Sequence, residues 1–362
     1  MPINPSSNLV IKNAGAARNQ ALRSALALGA ACGLRLNLRD IAGDDPRGGP
    51  GLGPGHLTAA AAAAKVCGGA FKGGIGVAEM EFLPGEPQTG EYAFDVALHQ
   101  RSAAPLAWVL ETVLPALARA GGQSQLMLQG GTHVLGGASS QYISRVLAPA
   151  WGLMGVRSSY TEIVPGFHPE GGGEAEVTVA GQGHLDSLQA EKGFDALMVG
   201  VDVVICGLPV HLAEQALEGA VGRLELHGFK PQDSLRRPKS AGRGLALTVW
   251  AHDARGLGVG FSQVGRRGGQ PRALGLETAE SLVSFLHTGA GLPGDLAAIL
   301  AAPLACARGT SRLSLDRITP ALRAALRVVE SALPGSARLV ERPGGGLAEL
   351  TLNGADWDLS AR

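Results

Sequence analysis

The sequence predicts an α/β (α+β) fold of repeated helix–strand modules, with a smaller α/β domain inserted in its second half. Three observations predict it. Up to about Glu174, helical stretches end at glycine and alternating or β-rich stretches follow, again and again. Glycine makes up 54 of 362 residues, roughly twice the usual share, as frequent turns and helix ends require. The texture then changes at 196–207 (ALMVGVDVVICG), a continuous apolar run of the kind found in strands covered on both faces.

In chain order, Arg18–Ala31 carries Leu22, Ala25, Leu26 and Gly29 on one helical stripe, and Gly33 stops it. Leu34–Ile41 alternates as a strand. Leu57–Val66 reads as a second helix closed by Gly68-Gly69, and Pro105–Ala120 as a third closed by Gly121-Gly122, with the strand Gln125–Gln129 after it. Ser140–Met154 is the fourth helix, followed by the strand Val156–Val164. After the apolar strand come a helix, Val210–Val221, and an exposed polar loop over Gly228–Arg243. Two strands, Leu245–Ala251 and Leu257–Val264, follow, and after them a helix, Leu276–Leu286. The expected organisation is therefore a large domain over 1–181 and 276–362, with an insert at 182–275. From Leu292 the first theme returns: a helix to Leu304, a strand, the helix Pro320–Leu333 and a β segment, Leu347–Leu352.

The formal net charge is zero, so a polyanion site has to be a local patch. Such a patch exists in the insert: Arg236, Arg237, Lys239 and Arg243, with Arg266 and Arg267. It reads as a solvated loop or as a landing strip for RNA or an acidic protein. Aromatic residues are only 4% and do not interleave with it, which argues against base stacking. The four cysteines (Cys32, Cys67, Cys206, Cys306) form no CxxC pair and are expected to be reduced and mostly buried. The run Ala59–Ala64 is too short to span a membrane, and the N-terminus lacks a basic-then-apolar leader, so a cytoplasmic protein is expected. Histidines 133, 168, 184, 211, 227 and 252 show no metal-ligand spacing, and no metal is assigned.

An ordered series of short segments carries a resemblance. Its most specific member is Gly166-Phe167-His168-Pro169-Glu170-Gly171-Gly172-Gly173, a Gly-x-x-Pro-x-Gly-Gly-Gly string. Around it lie Gln20–Leu26, Pro50-Gly51-Leu52 leading to His56–Ala59, Glu111–Leu117, Gly130-Gly131-Thr132, Arg145–Pro149, and Gly207-Leu208-Pro209 with His211. In order and spacing they resemble the RNA 3′-terminal phosphate cyclases over nearly the whole chain. The resemblance implies repeated units of a four-stranded sheet backed by two helices, with a thioredoxin-like insert. It also implies a reaction in which ATP places AMP on a histidine, the AMP passes to an RNA 3′-phosphate, and the neighbouring 2′-hydroxyl closes a 2′,3′-cyclic phosphate with the help of a divalent metal.

The same resemblance puts Ala321 where the family has its histidine nucleophile, at the start of the last long helix. No histidine follows His287, so a slipped alignment does not restore one. The family's first-turn glutamate falls on Ala16, an expected aspartate on Ala298, and an acidic residue after Gly-Gly-Thr on His133. Gln20, Arg23, Arg47 and His56 match positions that line the family's cleft and are the phosphate- or RNA-binding candidates. Each also has a plain reading, as helix packing, a solvated loop cation or a helix-start residue. His99 is a conceivable replacement nucleophile.

The expected function is thus a cyclase-like protein that binds RNA or acts in RNA processing without forming histidine–AMP. The alternative is an active cyclase with a relocated nucleophile. ATP and magnesium are expected only if the family activity is retained. RNA ends and a protein partner are the expected partners, no membrane is involved, and the oligomeric state stays open. A small-molecule transferase on the same fold, such as an enolpyruvyl transferase, is disfavoured because no cluster of lysines and arginines matches its anion sites.

Overall fold

The computed structural model describes residues 6–10, 15–41, 51–98, 102–341 and 346–355, without the side chains of 6–10, 15 and 16. The first unit contains β1 (Ser6–Val10), α1 (Gly15–Cys32), β2 (Arg35–Arg39), α2 (Pro54–Val66), β3 (Ala70–Lys72) and β4 (Met80–Leu83). The second contains β5 (Glu91–Asp95), α3 (Ala107–Ala120), β6 (Gly122–Gly130), α4 (Ser140–Tyr142), a π-helical turn (Ile143–Leu147), α5 (Ala148–Leu153), β7 (Arg157–Val164) and β8 (Gly173–Gly181). The third begins with β9 (Gln189–Ala190) and is then interrupted by β10 (Met198–Cys206), α6 (His211–Leu226), β11 (Gln232–Arg236), β12 (Gly244–His252), β13 (Gly258–Val264) and α7 (Pro271–Thr288). It resumes with α8 (Gly294–Ala305), β14 (Thr310–Leu315), α9 (Pro320–Ala332), β15 (Ala337–Val340) and β16 (Ala348–Asn353).

Each unit is the same β-α-β-α-β-β object. The sheets run β1-β2-β4-β3, β5-β6-β8-β7 and β9-β14-β16-β15, so in every case the fourth strand lies between the second and third. The first pair is parallel and the other two are antiparallel in all three sheets. The interruption falls between the first strand and first helix of the third unit. It forms its own four-stranded sheet, β11-β10-β12-β13, with β11 parallel to β10. A β-α-β-β-β-α order of this kind fits the expected thioredoxin-like insert. The expected insert start at 182 precedes β9, which pairs with β14 of the third unit, and the expected end at 275 lies inside α7.

The first helix of each unit is buried almost all round. Apart from Arg18, Gln20, Arg23 and Ser24, the buried residues of α1 from Arg18 onward are apolar, and α3 and α8 are buried along nearly their whole length. These three helices pack on one another and form the centre of the large body. Small residues make such close packing possible, as in the alanine run of α2 that lies against α1 and α3. Helix α9 instead shows one apolar stripe, Leu322, Ala325, Leu326 and Val329, with Arg323, Arg327 and Glu330 facing solvent. Its start is fixed by Thr319, whose hydroxyl accepts from the Leu322 amide (3.1 Å), and by Pro320 in the first turn.

The expected loop over Gly228–Arg243 is corrected by β11, a strand at the edge of the insert sheet. Its residues QDSLR are mostly polar because an edge strand takes its order from backbone pairing, not from burial. Among the described residues no helix is long and apolar enough to cross a membrane. Cys32, Cys67 and Cys206 are buried, Cys306 is half-buried, and all four are free thiols.

Candidate functional site

Helices α1, α2 and α3 meet at a buried polar cluster that contains three of the four cleft residues read from the sequence. Arg23 of α1 donates through Nε to Glu111 of α3 (2.9 Å) and through Nη2 to Gln20 (2.7 Å). Its guanidinium lies 5.1 Å from the centre of the Trp108 ring. The third nitrogen, Nη1, is buried and has no hydrogen-bond partner among the described residues. A buried, unused guanidinium donor is costly and is complementary to an anionic oxygen.

His56 sits at the start of α2, stacked on the same Trp108 with the ring planes 3° apart. Its Nδ1 accepts from the Gly53 amide (3.0 Å), so the proton of the neutral ring belongs on Nε2, which is 2.9 Å from the Asn19 carbonyl oxygen. Burial lowers its pKa to about 3, and Arg18 and Arg23 push in the same direction. His56 is therefore a neutral imidazole with both nitrogens engaged. Glu111 is pushed the other way: burial raises its pKa, and Arg23 opposes that shift. Arg47 and His99 lie outside the described residues. The sequence reading missed Asn19, Trp108 and Glu111 as members of this cluster. The available signal was Glu111, the one carboxylate in a largely apolar helix.

The signature string forms a second structure, the joint between the large body and the insert. Gly166 accepts at its carbonyl from the Thr132 and His133 amides (3.0 Å each) and donates its own amide to the Thr132 hydroxyl (2.9 Å). A Cβ on Gly166 would lie 2.4 Å from the Gly173 nitrogen, so the two ends of the loop touch only because both are glycine. Gly171 and Gly172 take positive φ (65° and 66°), and His168, Pro169 and Glu170 form an exposed tip. Phe167 points inward and packs with Val204, Cys206 and Ala246 of the insert sheet. Gly244 makes room for it, since a Cβ there would lie 2.0 Å from its ring.

His133 is fully buried beside Glu162 (2.8 Å) and stacks on Phe167. Glu162 also accepts from Ser140 (2.7 Å) and from Arg236 of the insert (3.1 Å). Burial would raise its carboxyl, but His133, Ser140 and Thr132 overcome that and hold it at about 2. Arg236 of the basic cluster thus belongs to this joint, while Arg237, Lys239, Arg243, Arg266 and Arg267 are exposed. A second anchor lies nearby: Arg145 covers the Trp250 ring and donates to the buried Asp202 (3.0 Å).

Comparison with known proteins agrees with this architecture. The family model for RNA 3′-terminal phosphate cyclase matches residues 15–338. Proteins named RNA 3′-terminal phosphate cyclase are similar: one from Methylococcus capsulatus is 34% identical over 87% of this chain and 88% of its own length. Another from Caldivirga maquilingensis is 32% identical over 87% and 90%, and one from Trichormus variabilis 30% over 94% and 95%. The chain belongs to the RNA 3′-terminal phosphate cyclase family. Ala321, the position expected to replace the family's nucleophile, is the second residue of α9, half-buried against the core, and Ala298 is buried in α8. Among the described residues no group of three or more His, Cys, Asp or Glu side chains is placed to hold a metal ion.

Proposed function

We propose that this cyclase-family protein binds a phosphorylated RNA end at the Arg23–His56 cluster, in RNA processing, without passing AMP through a histidine. One observation carries the reading: α9 opens with Thr319-Pro320-Ala321, and the chain holds no histidine after His287. A methyl group cannot attack an α-phosphate, and no neighbouring side chain in that turn offers an imidazole. The residues of that turn therefore do not fit an adenylate carried on α9. Binding is supported by the unpartnered Arg23 Nη1, a donor that matches a phosphate oxygen, and by the charges of Arg18 and Arg23, both felt at His56. We take the inserted domain as 191–289, which leaves β9 and the whole of α7 intact.

The active-cyclase reading draws on the relatives' names and on His56, a neutral imidazole between two arginines. Against it, the lone pair that attack needs, on Nδ1, already accepts the Gly53 amide. The test is to incubate the protein with ATP, magnesium and a 3′-phosphorylated oligoribonucleotide. The expected result is binding that weakens in Arg23→Gln and discriminates against a 3′-hydroxyl end, with no 2′,3′-cyclic end formed. A cyclised product from the wild type that disappears in His56→Ala would establish the active reading instead.

A further inference from the structure

We propose that Cys32 and Cys306 form an oxidation site at which the protein cross-links its first and third repeat units. Cys32 is the last residue of α1 and Cys306 caps the C-terminus of α8, so the pair joins two of the three central helices. Their sulfurs are 3.3 Å apart, although 274 positions separate them in sequence. Bond formation requires the sulfurs to approach by about 1.3 Å more, which small side-chain rotations supply. Cys67 and Cys206 lie in the first unit and in the insert, both buried.

Access is asymmetric, and that sets the order of the chemistry. Cys306 is half-buried and lines a surface cleft with Arg119, His184 and Arg308, whereas Cys32 lies beneath it, 1% exposed. Burial raises the Cys32 thiol well above its ordinary pKa, and the neighbouring Cys306 adds to the shift, which disfavours Cys32 as the first to react. With hydrogen peroxide as oxidant, the Cys306 thiol loses its proton and its thiolate attacks one oxygen; the O–O bond breaks, and the departing hydroxide takes up that proton, leaving a sulfenic acid and water. The Cys32 sulfur then attacks the Cys306 sulfur. The S–S bond forms, hydroxide leaves and takes up the Cys32 proton as a second water. Two thiols and one peroxide give one disulfide and two waters, and a dithiol reductant reverses the change. The link lies nine residues along α1 from Arg23, about 14 Å at the helical rise, so it fastens the frame without touching the anion-binding cluster.

The experiment titrates the full-length folded protein with hydrogen peroxide and counts free thiols, then maps peptides under non-reducing conditions. Free thiols are expected to fall from four to two, with one linked peptide pair containing Cys32 and Cys306 that dithiothreitol separates. The Cys67→Ser/Cys206→Ser double variant is expected to form the same link. Cys32→Ser is expected to stop at a Cys306 sulfenic acid that dimedone traps. Should the native wild type oxidise Cys67 or Cys206 first, or carry Cys306 to sulfinic acid with no linked peptide, the site is not a cross-linking site. The wild-type map decides the matter even if a variant fails to fold.

Discussion

His56 gives the sharpest thermodynamic prediction. In the folded protein its pKa lies near 3, against an ordinary value of 6.5, chiefly because it is buried. Between those values the unfolded chain binds a proton at this residue and the folded chain does not, so stability falls as pH falls. At pH 5 an ordinary imidazole is about 97% protonated, and the folded ring stays neutral. Relative to pH 7, this single residue is therefore expected to cost about 2 kcal/mol of folding stability. The perturbation is His56→Gln, which cannot titrate. Urea-unfolding free energies at pH 7 and pH 5 are compared for wild type and variant. Whatever the variant's absolute stability, its drop between the two pH values should be smaller than the wild type's by about 2 kcal/mol. The other eight histidines contribute equally to both proteins and cancel. Equal pH-dependent losses in the two proteins would refute the buried, neutral assignment.

Glu162 predicts an acid-side effect of the opposite origin: its depressed pKa contributes stability that is present above about 4.5 and lost as pH falls toward about 2. Glu162→Gln should remove about 3 kcal/mol of that pH dependence, read from the same unfolding curves at pH 7 and pH 2.5. Phe167→Ala empties the contact between body and insert and should cost about 3–5 kcal/mol, with faster proteolysis in the segment 237–243. Arg23→Gln leaves Glu111 buried opposite a neutral group and should destabilise by about 3–5 kcal/mol, part of which the double variant with Glu111→Gln restores. Thr319→Ala removes the cap of α9 and should cost about 1 kcal/mol in thermal or urea unfolding.

Elements whose signal is local were legible in the sequence. The helix Pro320–Leu333 is observed as Pro320–Ala332, because a capping Thr319-Pro320 pair and a single apolar stripe both mark it. The apolar run of β10 was equally plain. Elements ordered only by pairing were not legible. Strand β9 is two residues, Gln189–Ala190, without any periodicity, and it exists because β14 runs beside it. Missing β9 put the start of the insert at 182, ahead of the third unit's own first strand, and so hid where that unit is split.

In the candidate site, Gln20, Arg23 and His56 were read from the sequence, and the structure brings them together around Trp108. The partners Asn19 and Glu111 were not read, since nothing in a linear pattern says that a carboxylate 88 positions away faces Arg23. The joint of His133, Glu162 and Arg236 was invisible for the same reason, being drawn from three separate elements. The signature string was found, and its glycines serve close backbone approach at this joint.

The proposed loss of AMP transfer through histidine is decided by self-adenylylation. Purified protein is incubated with radiolabelled ATP and magnesium, quenched in alkali and examined for covalent label and for the intact mass of an AMP adduct. An unmodified chain is expected under conditions in which a histidine-bearing relative is labelled. A stable, acid-labile AMP adduct mapped to any histidine of this chain would contradict it.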